Sequence, residues 1–132
     1  MRSFFEVASL EAMRAARSGR SFTLVRLAPA GWAALDSEVE ALTGLVSAHL
    51  RRTDFVARVR EREVGAVLIE AGPEQAQAPV ERVEAAARLH LPTIEVRIGW
   101  AAVGPDQRPT WQEAWRWAGQ LLVANAAAPA AA

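Results

Sequence analysis

The run TDFVARVR (residues 53–60), a charged turn spanning Arg60-Glu61-Arg62-Glu63, and the run VGAVLIE (residues 64–70) together set the topology of the chain. In the first run Phe55, Ala57 and Val59 alternate with Val56, Arg58 and Arg60, the period-two pattern of a strand with two unlike faces. The second run is almost wholly apolar and follows so closely that the two predict a β-hairpin. Upstream, SFTLVRLA (residues 21–28) is another β-leaning run, closed by Pro29 and Gly31. Between it and the hairpin, Leu35, Val39, Leu42, Val46 and Leu50 recur at a helical period, and Arg51 and Arg52 suit the helix C-terminus. Downstream, Gly72-Pro73 breaks the chain. Residues 74–90 then predict a helix with Val80, Val83 and Ala87 on one side. Leu91-Pro92 stops it, and residues 93–103 predict a last strand.

The resulting order, β-α-β-β-α-β, is that of an α/β (α+β) ferredoxin-like fold: an antiparallel sheet with helices on one face. A helix precedes this unit over residues 4–17, ending near Gly19, and another follows it. The last helix opens on Thr110 with Glu113 three residues later, a capping box, and carries Trp111, Trp115, Ala118 and Leu122 on one face. Residues 2–126 read as one domain without repeat or linker, and the Ala/Pro tail over 127–132 as disordered.

Composition narrows the function classes. At 52% hydrophobic and 23% charged the chain is ordinary for a globular domain. Fifteen basic residues balance fifteen acidic ones, so no general field favours nucleic acid or a membrane. Every basic residue is arginine, which excludes Schiff-base lysine chemistry and a lysine on a phosphate. Without cysteine there is neither a disulfide nor a thiolate metal site. No apolar run reaches the roughly 18 residues of a membrane helix. The first twenty residues contain acids and lack a continuous apolar stretch, so they do not read as a signal peptide. The expected compartment is the cytoplasm, with no membrane insertion.

Leu50-Arg-Arg-Thr-Asp-Phe-Val-Ala-Arg58, Val59 and the turn after it resemble the approach to the GGDEF motif of diguanylate cyclases. Val96-Arg-Ile-Gly-Trp-Ala-Ala102 resembles that family's Ser-x-Gly-x-Ala strand, and Thr110 to Asn125 its closing helix. The resemblance implies bacterial signalling by cyclic di-GMP, which the family's enzymes make from two GTP molecules, each held with divalent metal in one half of a dimer. It also implies that this copy is degenerate. The motif's five positions read Arg60-Glu61-Arg62-Glu63-Val64. Side chains replace the two glycines that admit the nucleotide. Arg62 is a permanent cation where an acid should meet the metal. The first strand ends in Leu27-Ala28-Pro29-Ala30 without the family's metal-binding Asp. The resemblance implies a base-holding loop that is shortened or absent between Trp32 and Leu35, and Asn125 stands in place of a phosphate-binding lysine. The expectation is a regulatory domain that is not an enzyme and needs no cofactor or metal.

Arg51-x-x-Asp54 resembles the family's inhibitory site for cyclic di-GMP, and Arg82 falls at the offset of its second arginine. Arginine forks suit phosphates and the guanine Hoogsteen edge, and a carboxylate suits guanine N–H donors. The competing reading is a solvated charge cluster in which Asp54 pairs with a neighbouring arginine. Elsewhere no catalytic constellation emerges. His49 and His90 read as cap or surface residues. Trp32 and Trp100 are expected in the core and Trp111 and Trp115 packed inward. Trp117 is expected to be exposed, either as an anchor for a protein partner or self-association, or lying against Arg116. Two functions follow: a cyclic di-GMP receptor, or a protein-interaction or dimerisation module without a nucleotide ligand.

Overall fold

The computed structural model describes residues 3–30 and 35–127. The expectations for Trp32, for the loop before Leu35, for the Asn125 side chain and for most of the Ala/Pro tail lie outside the described residues or side chains. The elements run α1 (Phe4–Ser18), β1 (Phe22–Pro29), α2 (Asp36–His49), β2 (Phe55–Arg60), β3 (Glu63–Leu68), α3 (Pro73–His90), β4 (Val96–Val103) and α4 (Trp111–Ala127). The strands form one antiparallel sheet in the order β2-β3-β1-β4, as the β-α-β-β-α-β pattern requires.

Alternation along β1 divides the core in two. Val25 and Leu27 face α2 and α3, where Val39, Leu42, Val46, Val64, Ala66, Leu68, Val80, Val83 and Ile98 join them. Phe22 and Leu24 face the other way, onto Phe4, Ala8, Ala12, Val67, Val103 and Trp115. Both faces of the sheet are therefore covered. As expected, the two helices of the β-α-β-β-α-β unit lie on one face, and the end helices α1 and α4 cover the other, burying the second apolar face that the large side chains of β1 present.

Element boundaries follow local chemistry. Ser3 caps α1 by accepting the Glu6 N–H at 3.2 Å, and Gly19 ends it in the left-handed region at φ 74°. Thr110 and Glu113 form the expected reciprocal box at α4: the Thr110 hydroxyl accepts the Glu113 N–H at 3.2 Å, and the Glu113 carboxylate accepts the Thr110 N–H at 3.0 Å. The Thr110 N–H foremost, and the Thr110 hydroxyl that also donates to the Glu113 carboxylate at 3.1 Å, hold the Glu113 pKa below its ordinary value. Three expectations shift. Helix α2 stops at His49, so Arg51 and Arg52 lie beyond its last turn. Leu35 is exposed at the helix start rather than in the core. Strand β4 begins at Val96, because Pro92 is followed by a turn.

Candidate functional site

Two places hold the residues singled out in the sequence: the β2–β3 hairpin turn and the recess below the start of that hairpin. The turn is tighter than its sequence suggests. Arg60 pairs with Glu63 across a two-residue connection, Glu61-Arg62, and a register shift between Arg58 and Arg60 absorbs the extra residue. Neither turn residue has a positive φ, so the backbone here does not require glycine. Arg58 reaches the Glu61 carbonyl and pairs with Asp36 at 2.5 Å, tying the turn to the start of α2.

Glu63 is not a turn residue. It opens β3 and points toward α4, where Arg26 meets it with a two-pronged ion pair of 3.0 and 2.9 Å. Arg26 also donates to the Trp115 carbonyl at 2.9 Å and lies 4.3 Å from the centre of the Trp115 ring. The two side chains are only 11% and 12% exposed. A divalent cation needs carboxylate oxygens with free lone pairs. Both Glu63 oxygens are engaged by a guanidinium, β1 ends without an acid, and Arg62 brings a second positive charge to the turn. Among the described residues no group of three His, Asp or Glu side chains stands ready to hold a metal. The residues present do not fit the metal that the resemblance implies. Arg26 was missed in the sequence, although a lone arginine in the apolar run FTLVRLAP was the available signal.

The second place is an open recess of about 390 Å³ between the loop before β2, the end of β3 and the first turns of α3. Arg51, Asp54 and Arg82, separated by up to 31 positions, all line it, together with Glu70, Glu74 and Gln75. Their side chains are unequally committed. Asp54 is only 3% exposed. Its oxygens accept the Arg51 N–H at 3.0 Å, the Ile69 N–H at 3.0 Å and the Arg51 guanidinium at 3.3 Å. That carboxylate pins the loop to β3 and orients Arg51, which also donates to the Ile69 carbonyl. Arg82 is exposed, and no described residue pairs with it. On the rim, Glu70 sits at φ 53°, a strained conformation for a residue with a side chain, and pairs with Arg20 at 3.0 Å. Thr23 braces the floor by donating to the Ala71 carbonyl at 2.7 Å.

Of the other singled-out residues, Trp115 is buried, Trp100 and Trp111 pack against the two cores, and Trp117 is 46% exposed beside the equally exposed Leu121. Half-buried His49 contacts the Leu45 carbonyl through Nδ1 at 2.9 Å, as a cap residue does.

No protein-family model matches the chain, and no curated protein matches it either. Solved structures do. The FimX GGDEF domain of Pseudomonas aeruginosa aligns with a TM-score of 0.80 at 18% identity, covering 93% of this chain and 85% of that one. The GGDEF domain of DgcB from Caulobacter crescentus, in complex with c-di-GMP, aligns with a TM-score of 0.77 at 14% identity over 92% and 81%. The diguanylate cyclase SiaD of Pseudomonas aeruginosa, in complex with its activator SiaC, gives 0.72 at 18% identity over 92% of this chain and 52% of that one. Identities this low speak to architecture, and the architecture of this chain is that of a GGDEF-like domain.

Proposed function

We propose that this domain is a non-catalytic regulatory module that binds cyclic di-GMP in the recess between Arg51 and Arg82. The observation that carries the reading is the meeting of Arg51, Asp54 and Arg82 at one open recess of about 390 Å³, within the usual range of ligand sites. Arg51 is held in place by Asp54, so little side-chain entropy remains to be lost when it meets a phosphate or a guanine edge. Arg82 supplies the second fork from α3. The DgcB domain of the same fold is seen with c-di-GMP, which makes that dinucleotide the first ligand to try.

The non-catalytic half of the proposal rests on the hairpin. The Arg26–Glu63 pair consumes the carboxylate that opens β3 beside the turn, and Arg62 repels a divalent cation, so no metal-bound triphosphate is activated there. Incubation with GTP and Mg²⁺ is expected to yield no cyclic di-GMP; measurable product overturns this half.

Titration calorimetry with cyclic di-GMP tests the other half. A saturable heat at micromolar ligand is expected, weakened at least about tenfold by Arg82→Ala, since a charge-assisted bidentate contact is worth about 1–3 kcal/mol. A flat trace from folded protein rejects the receptor. The protein-interaction reading would then take its place, favoured by the exposed Trp117–Leu121 pair and tested by gel filtration of Trp117→Ala.

A further inference from the structure

Within the recess, the residue types expected to share the ligand do not share their availability. Asp54 is the carboxylate that the sequence offers to guanine, yet it is 3% exposed and its oxygens are filled by the Arg51 and Ile69 N–H groups and the Arg51 guanidinium. Breaking those bonds to accept from a base would unpin the loop from β3, which disfavours the exchange. Two other carboxylates line the same space. Glu70 is paired with Arg20 at 3.0 Å. Glu74 is exposed on the first turn of α3, and among the described residues no hydrogen bond or ion pair engages it.

We infer that Glu74, not Asp54, is the specificity-determining carboxylate of this recess, and that it selects guanine over adenine in a cyclic dinucleotide. The inference rests on the receptor reading above and deepens it. After internal pairing, one arginine (Arg82) and one carboxylate (Glu74) remain uncommitted on a wall built from a single helix, eight residues apart. At 1.5 Å per residue their backbones stand about 12 Å apart along the axis, a separation of nucleotide dimensions. A fixed cation and a fixed carboxylate so placed suit a ligand with an anionic phosphate at one end and adjacent N–H donors at the other. Guanine offers its N1–H and N2 amino group side by side, and a carboxylate accepts both. Adenine presents one amino donor beside the N1 lone pair, which a carboxylate repels. A carboxamide instead accepts from that amino group and donates to N1. The Gln75 carboxamide is already used, accepting the Gly72 N–H at 2.9 Å, and so does not compete for the base.

The test is calorimetric titration of the full chain with cyclic di-GMP and cyclic di-AMP, for the native protein, Glu74→Gln and Asp54→Asn, with circular dichroism to confirm folding. The native protein is expected to prefer the guanine ligand by about tenfold or more, the discrimination of one bidentate base contact. Glu74→Gln should lower affinity for cyclic di-GMP about tenfold and raise that for cyclic di-AMP, narrowing or reversing the preference. A role for Glu74 limited to complementing the helix dipole would change melting temperature and leave the preference intact. If the native protein binds cyclic di-GMP and Glu74→Gln keeps both its affinity and its preference, the assignment of Glu74 is overturned while the receptor stands. Loss of the guanine preference in folded Asp54→Asn alone also overturns it. If neither dinucleotide binds the native protein, the receptor reading itself falls.

Discussion

At the scale of single residues, the decisive feature is a buried cation that belongs to the chain itself. Arg26 and Glu63 lie on the sheet face that packs against α4; they pair with each other, and Arg26 also meets the Trp115 carbonyl and ring. Removing one partner leaves a charge in a site that is nearly closed to water. Arg26→Ala is therefore expected to cost about 3–5 kcal/mol in urea unfolding, whereas Arg26→Met combined with Glu63→Leu should recover most of that loss. An unchanged midpoint for the single variant would show the pair to be solvated. A second buried acid behaves differently. Glu11 is 9% exposed on α1, and burial, opposed by Arg14 and assisted by Glu70, raises its pKa above the ordinary carboxylate value. The folded state thus holds the proton more tightly than the unfolded state. Its contribution is present at acid pH and is lost as pH rises through the raised value. Glu11→Gln should stabilise the protein at neutral pH, with the difference shrinking below the usual carboxylate range. A variant less stable at neutral pH would show that the Arg14 bridge outweighs burial. The candidate site was half legible at this scale. Arg51, Asp54 and Arg82 could be named because their residue types and spacing carry a pattern, but their commitments could not. That Asp54 is spent on the Ile69 N–H follows from where β3 ends against the loop, a tertiary fact with no periodicity behind it. Glu74 looked like any first-turn acid.

Among the elements, α4 and β4 meet backbone against backbone. A β-carbon built on Gly99 would stand 2.0 Å from the Ala118 carbonyl oxygen, closer than any real contact. The helix backbone therefore rests directly on the strand, and Gly99 is required for that approach rather than for its torsion freedom. Gly99→Ala is expected to destabilise by about 3 kcal/mol or more, the upper range for overpacking, because the opposing atom is backbone and cannot rotate away. A loss below about 1 kcal/mol, measured by denaturant unfolding, would mean that α4 shifts freely over the sheet. The strands, the helices and the placement of α2 and α3 on one face were readable from the sequence, whereas this close approach of helix to strand was not. The hairpin announced itself through alternation, and Thr110 with Glu113 announced the start of α4. The boundaries that moved are those set by neighbours: Leu35 lies exposed at the start of α2, and β4 waits until Val96, where it can pair with Pro29.

For the whole molecule, the sheet separates two apolar cores that serve different ends. The α2–α3 side supports the recess through Leu68 and Pro79, which line both it and the apolar core. The α1–α4 side encloses the Arg26 pair and closes the face that a bare β-α-β-β-α-β unit would leave open to water. Phe4 is the keystone of that second core. It is 4% exposed, its ring lies 4.8 Å from Trp115 and 6.3 Å from Phe55, and it fills the space over Gly65. Because the two cores lie on opposite faces of the sheet, a cavity on one side should lower global stability without reshaping the other. Phe4→Ala is expected to cost about 3–5 kcal/mol, the usual range for emptying a buried phenylalanine site. At a temperature where the variant is still fully folded, its titration with cyclic di-GMP should match that of the native protein. Denaturant unfolding and calorimetry on the same sample decide the point. A variant that stays folded yet loses affinity would mean that the end helices govern the recess through the sheet, and the two cores would then have to be treated as one coupled unit.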